Sequence, residues 1–155
     1  MVYDLVAIGN PVYDIIFTPY ISTKGRVLSG CSTNACLAAT KLGMKNVALI
    51  GRIGNDYHNK FLNDLKTYGI NSPKVKLSEE TGGFRLVYDE TGDRTLEVLG
   101  VSGKITPRDI PDDCLNAQYV LIGPILREVD HNLIGYLKET TKAKIFLDPQ
   151  GLVRK

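Results

Sequence analysis

Four short runs of apolar and β-branched residues recur along this chain, each cut off by a glycine or an Asp-Pro step. Val2 to Ile8 ends at Gly9, Val47-Ala48-Leu49-Ile50 at Gly51, Tyr119-Val120-Leu121-Ile122 at Gly123, and Lys144-Ile145-Phe146-Leu147 at Asp148-Pro149. Runs this continuous lack the polar alternation of a strand with one wet face, so they suit strands buried on both sides in a parallel sheet. Helical spacing fills the intervals. Ser32-Thr33-Asn34 offers side-chain caps ahead of Ala35, Leu37, Ala38, Ala39 and Leu42, with Gly43 as the stop. Asp56 precedes Phe61, Leu62, Leu65 and Tyr68, which share one helical stripe closed by Gly69, and Asp130 precedes Leu133, Ile134 and Leu137. Alternating strand and helix predict an α/β fold, a doubly wound and mainly parallel sheet with helices on both faces and right-handed crossovers.

Two stretches break the alternation. Asp14 to Leu28 carries β-branched and aromatic residues around Pro19 and Gly25, which reads as short edge strands. Gly82 to Val101 contains Phe84 to Tyr88, then Asp89-Glu90-Thr91-Gly92-Asp93, then Arg94 to Leu99, the pattern of a hairpin. Together they predict a small antiparallel β lid, segments 14–28 and 82–101, over a site at the strand ends. Arg85 and Arg94 on the hairpin are within reach of an anion, although such charges are more often solvated strand faces.

At 155 residues the chain forms one domain, 1–155, with 43% hydrophobic and 23% charged residues, the composition of a globular protein. The 19 basic and 17 acidic residues are interspersed and leave a net charge of +2, so no basic stripe points to nucleic acid. No apolar run approaches the length of a membrane crossing, and the start, with Asp4 and no basic leader, does not read as a signal peptide. Three cysteines, Cys31, Cys36 and Cys114, predict reduced thiols and a cytoplasmic location. The Walker pattern G-x-x-x-x-G-K-[ST] is absent, and the turn after the first run is Gly9-Asn10-Pro11-Val12-Tyr13-Asp14, not G-x-G-x-x-G, which weakens a dehydrogenase reading. Neither zinc-ligand spacing nor a G-x-S-x-G elbow occurs, so no structural metal and no hydrolase triad are expected.

The segment Leu28-Ser29-Gly30-Cys31-Ser32-Thr33-Asn34-Ala35-Cys36-Leu37-Ala38-Ala39-Thr40-Lys41-Leu42-Gly43, followed by Gly51-Arg52-Ile53-Gly54-Asn55-Asp56, remains. Gly30 permits close backbone approach to a ligand, and the Asn34 amide both donates and accepts, which suits a pair of hydroxyls beside free helix-start N–H groups. The plainer alternative is that Gly30 makes a turn and Asn34 caps a helix. Asp14 falls just past the carboxyl end of the first strand, where open α/β sheets place ligands, or else is a local turn former. Asn10 stands beside it.

This pattern resembles the first signature of the ribokinase-like (PfkB) carbohydrate and nucleoside kinases: a Gly-Gly pair, an asparagine, an Ala-rich helix ending in Leu-Gly, then a strand and G-x-x-G-x-D. The chain departs from it at Ser29, where that family has its first glycine, and at Cys36. The resemblance implies that Asp14, Gly30, Asn34 and Asn10 bind the hydroxyls of a small-molecule sugar or nucleoside. It also implies that the lid shields phosphoryl transfer from water, leaving a homodimer through paired lids open. Phe146-Leu147-Asp148-Pro149-Gln150 is similar to the family's Asp-Pro-Asn or Asp-Pro-Gln segment, which makes Asp148 a candidate near phosphate or metal. ATP and Mg2+ are the implied cofactors. The family's catalytic base and anion hole come from a later Gly-Ala-Gly-Asp segment that does not occur here, so no catalytic residue is expected in this chain. The implied function is the amino-terminal, substrate-binding half of an ATP-dependent sugar or nucleoside kinase. The alternative is a non-catalytic sugar-binding or self-associating module.

Overall fold

A computed structural model of the chain describes residues 2–154; Met1 and Lys155 lie outside the described residues. In chain order the elements are β1 (Leu5–Ile8), β2 (Val12–Phe17), β3 (Val27–Ser29), α1 (Cys31–Lys41), β4 (Val47–Gly54), α2 (His58–Thr67), β5 (Ser72–Ser78), β6 (Gly83–Tyr88), β7 (Arg94–Gly100), β8 (Tyr119–Ile122), α3 (His131–Thr140), β9 (Lys144–Leu147) and α4 (Gln150–Val153). The main sheet is wholly parallel in the order β5-β4-β1-β8-β9.

Side-chain alternation sorts the core onto the two faces of this sheet. Val6 and Ile8 of β1 pack with Ala48, Ile50, Val120 and Ile122 against Leu133 and Leu137 of α3. Leu5 and Ala7 face the other way, with Leu49 and Ile53, against Cys36 and Ala39 of α1 and Phe61 and Leu65 of α2. A side chain such as Leu133 or Phe61, fully excluded from water, contributes about 1.5–3 kcal/mol by burial alone. Leu62 and Tyr68, predicted on the α2 stripe, are more than a third exposed, so the buried stripe is narrower than their spacing implied.

Sequence and structure differ at several boundaries. The first strand begins at Leu5, because Asp4 turns its carboxylate onto the backbone N–H groups of Lys45 and Asn46 at 3.1 and 3.0 Å. The Ser32-Thr33-Asn34 segment does not precede its helix. Gly30 is the N-cap, no side chain caps it, and these three residues form the first turn. Tyr57 is the N-cap of α2, while Asp56 accepts the Thr81 hydroxyl at 2.6 Å. Asp130 does cap α3, accepting from the N–H groups of Asn132 and Leu133. The fifth parallel strand, β5, escapes the pattern because its apolar residues alternate with Lys74 and Lys76 and it contains Pro73. Those features suit the outer edge that it occupies, where proline loses no ladder bond and lysines discourage further pairing.

The lid forms a second sheet in the order β3-β2-β6-β7. The β2/β3 and β6/β7 pairs are antiparallel, but β2 and β6 run parallel, so the lid is mixed. The cause lies in the main sheet. β2 continues from β1 and β6 from β5, two parallel strands, so both leave the same edge in the same direction. Tyr13, fully buried, anchors the base of β2 to α2: its hydroxyl donates to Asp64 at 2.6 Å and its ring stacks on Tyr57 at 4.3 Å. Burial, then the Asp64 carboxylate, hold that phenol well above its ordinary pKa, so it stays a donor.

Candidate acceptor site

A cavity of about 270 Å³ lies between the lid and the start of α1. Its walls include Asp14 and Ile16 of β2, Gly30, Cys31 and Asn34 at the α1 start, Phe84, Leu86 and Tyr88 of β6, Arg94 and Leu96 of β7, and Gln150 and Arg154 at α4. Asp14, Gly30 and Asn34, read from the sequence as ligand-binding, therefore meet on one surface.

Each is placed by its element. Asp14 sits on the cavity face of β2, 3% exposed, and accepts the Phe84 backbone N–H at 2.8 Å. Burial raises its pKa, opposed by hydrogen bonds from Ser29 and the Phe84 N–H and by the charges of Arg154 and Arg26. A desolvated carboxylate of this kind is a strong acceptor for hydroxyl donors. Gly30 carries the chain from β3 into α1 at φ 113° and ψ 142°, which brings the backbone against Asn10 and Val12 and opens the helix start to the cavity. Asn34, in the first turn of α1, presents an exposed amide at the cavity wall.

Asn10 lies elsewhere. Its amide donates to the Gly103 carbonyl at 2.9 Å and accepts the Arg52 N–H at 2.8 Å, and it is 4% exposed. It braces the turn after β1 and is absent from the cavity wall. Arg94 lines the cavity and donates to the Tyr88 hydroxyl at 3.1 Å. Arg85 points to the opposite lid face, over Phe17 and near Glu97.

Asp148 follows β9 beside the α1 start. One oxygen accepts the Gln150 N–H at 2.9 Å and the other accepts the Cys31 thiol at 3.2 Å. Burial and the neighbouring Asp148 push that thiol up to about 12, so Cys31 is a neutral donor at physiological pH. Among the described residues, no group of three or more His, Cys, Asp or Glu side chains is arranged to hold a metal ion. Mg2+ is usually held by one or two carboxylates together with water and substrate phosphates, and Asp148 is the carboxylate that the resemblance offers for such a place.

Sequence reading passed over Gln150, Arg154 and Glu128. Gln150 and Arg154 are four apart, a spacing that puts both on one side of a helical turn, but so short a helix has no apolar period to announce it. Glu128, 3% exposed, accepts from the N–H groups of Asn10, Ile125 and Leu126 and so fixes the loop behind the cavity. An isolated acid after a Gly-Pro turn carries no such signal.

Three comparisons with known proteins agree. A family model described as pfkB family carbohydrate kinase matches residues 4–151. A cytidine kinase of Thermococcus kodakarensis is 30% identical over 139 residues, covering 87% of this chain and 48% of that protein. A pyrophosphate-dependent kinase in the ribokinase family, complexed with a pyrophosphate analog and myo-inositol, superposes with a TM-score of 0.78 at 19% identity, covering 97% of this chain and 50% of that one. Ribokinase of Arabidopsis thaliana, complexed with ribose and ATP, gives 0.72 at 19% identity, covering 96% and 54%. The chain spans about half the length of these relatives. With the matched family covering nearly all of it, the chain belongs to the pfkB family of carbohydrate kinases.

Proposed function

We propose that this chain is the acceptor-holding half of an ATP-dependent kinase that phosphorylates a hydroxyl of a nucleoside or sugar. The observation that carries the reading is the convergence of Asp14, Gly30 and Asn34 on one cavity roofed by the lid. Asp14 accepts from an acceptor hydroxyl pair, the Asn34 amide donates to and accepts from its neighbours, and Gly30 lets the ring approach the backbone. Ile16, Leu86 and Leu96 line the lid side with Tyr88, an apolar and aromatic wall that suits a nucleobase better than a bare polyol. The cytidine kinase relative supports the same preference.

The reacting hydroxyl then points toward Asp148 at the α1 start. The catalytic base, the anion hole and the sites for ATP and Mg2+ lie outside these 155 residues in this reading. It is supported by the share of its relatives that the chain spans, and by β9, every residue of which is exposed on the edge of the sheet. Beside β9 an open apolar groove, lined by Leu5, Met44, Tyr119, Leu121 and Phe146, offers a surface for further structure.

Isothermal titration with cytidine, ribose and myo-inositol tests the acceptor reading. The chain binds cytidine, and Asp14→Asn weakens binding by about tenfold to a hundredfold, the loss of one hydrogen bond to a charged group. Failure of all three ligands to bind, or Asp14→Asn binding like wild type, refutes it. Binding without phosphoryl transfer by the native gene product, given ATP and Mg2+, favours the non-catalytic sugar-binding module instead.

A further inference from the structure

Arg154, just past α4, reaches both halves of the cavity. Nη1 donates to the Ile125 carbonyl at 2.9 Å, Nη2 to Gln150 Oε1 at 3.1 Å, and the guanidinium carbon stands 5.0 Å from the centroid of the Phe84 ring. Phe84 is 4% exposed, and its backbone N–H is the donor that holds Asp14. One residue of the lid thus carries Arg154 on its ring and Asp14 on its amide.

We propose that Arg154 is a positioning residue for the acceptor site, clamping Phe84 against the Ile125 loop so that the Phe84 N–H stays on the buried Asp14 carboxylate. The inference rests on the reading of Asp14 as an acceptor-holding residue. A guanidinium meets the geometry because its planar fork serves two oxygens while its face lies on a ring, which a lysine ammonium cannot reproduce. The charged neighbours of Asp14 are few. Arg26 approaches from the β2–β3 connection and stands 5.8 Å from the Tyr57 ring centroid, outside the cavity wall. Arg94 of β7 lines the wall beside Tyr88. Arg154 alone among these is fixed by hydrogen bonds to the Ile125 loop and α4. Burial raises the Asp14 pKa; the hydrogen bonds from Ser29 and from the Phe84 N–H that Arg154 helps to seat oppose it first, and the charges of Arg154 and Arg26 after them. Acceptor recognition is thereby tied to the segment that carries Asp148, so a displacement on the phosphate side is felt at the acceptor hydroxyls.

The test is a titration of the Asp14 side-chain carboxyl carbon by NMR in the 155-residue chain, comparing wild type with Arg154→Gln, Arg154→Lys and Phe84→Leu. In Arg154→Gln the Asp14 midpoint moves to higher pH. Arg154→Lys restores part of the shift, and Phe84→Leu moves it in the same direction as Arg154→Gln because the cation loses its seat. An Asp14 midpoint unchanged in folded Arg154→Gln overturns the proposal. If that variant does not fold, unchanged midpoints in both Arg154→Lys and Phe84→Leu do so. The readout needs no ligand, so its failure is distinct from failure of the acceptor reading, which shows as absent cytidine and sugar binding while the Asp14 midpoint still follows Arg154.

Discussion

Replacing Gly30 with alanine perturbs the junction between lid and helix at its tightest point. Its backbone, φ 113° and ψ 142°, lies where a Cβ collides with the flanking peptide groups. Holding alanine there costs about 1–3 kcal/mol. The new Cβ also stands 3.1 Å from the Asn10 carbonyl oxygen, 3.4 Å from Thr33 Oγ1 and 3.5 Å from the Val12 nitrogen. The Asn10 backbone cannot retreat freely, since its N–H is held by Glu128 and its amide by Arg52 and Gly103. Overpacking of this kind adds about 1 kcal/mol or more. Gly30→Ala is therefore destabilised by about 2–4 kcal/mol, which for a chain of this length lowers the melting temperature by about 5–15 °C. Gly25→Ala is the control. It also has positive φ, 81°, but nothing lies within 4 Å of its Cβ, so only the left-handed backbone penalty of about 1–2 kcal/mol applies. Thermal and urea melts followed by circular dichroism separate the two. If Gly30→Ala melts within about a degree of wild type, or no lower than Gly25→Ala, the close approach of this junction to the β1–β2 turn is refuted.

Two further perturbations isolate the supports of the site. Asn10→Ala leaves the Arg52 N–H and the Gly103 carbonyl without their partner, at a cost of about 1–3 kcal/mol in urea melts, while the folded protein keeps its affinity for cytidine; lost affinity with unchanged stability contradicts the bracing role. Asp109, buried and bonded to Lys76, the Thr106 N–H and Arg52, has a pKa near 2 because those donors outweigh the rise that burial causes. A lowered carboxylate pKa adds stability that is complete above the unfolded value of about 3.9 and disappears as pH falls through about 2. Asp109→Asn is thus less stable than wild type by about 1–2 kcal/mol at pH 7, after allowing for the half-exposed Lys76, and the gap closes toward pH 2. A gap of equal size at both pH values refutes it.

What the sequence made legible follows from what each pattern encodes. Val47 to Ile50 is readable as a strand because burial on two faces demands apolar residues at every position, and Tyr119 to Ile122 carries the same pattern although Tyr119 and Leu121 are only half-buried, facing the open groove beside β9. The hairpin is readable because Asp89 to Asp93 carries turn chemistry, with Asp89 accepting from the N–H groups of Thr91 and Asp93. That Asp14, Gly30 and Asn34 meet on one cavity wall was legible because the first follows closely on β1 and the other two stand at a helix start, positions fixed by local order. β5 was not, since an edge strand has one poorly covered side and tolerates Pro73 and two lysines. Asn10 shows the opposite limit. The sequence places it beside Asp14, but whether an amide faces a ligand or a backbone depends on Arg52 and Gly103, which the fold brings there from 42 and 93 positions away. Arg154 is a case of the same kind, recognisable only once Phe84 lies beneath it.

The division between fixed and yielding parts of the cavity follows from where hydrogen bonds go. At its floor the chain passes from sheet to lid through Gly9 to Pro11, and from β8 toward α3 through Gly123 to Glu128, segments with little ladder pairing. Buried Glu128 and Asn10 supply the missing partners instead, and Ser32 donates to the Gly123 carbonyl at 3.2 Å. Groups so enclosed cannot exchange their bonds for water without exposing a carboxylate and an amide that have almost no access to solvent. The lid tips are different: Thr18 to Ile21 and Asp89 to Asp93 bond mostly within themselves, and Tyr20 and Ile21 are largely exposed. Local opening is cheapest where bonds are local and apolar contacts few. Asp14, at the base of β2, and Asn34, at the start of α1, stand beside this braced floor, and the apolar wall of Leu86, Tyr88 and Leu96 runs toward the hairpin tip. Under the proposed acceptor reading, recognition of hydroxyls is therefore preorganised, and adaptation to the size of the remaining ligand falls to the lid.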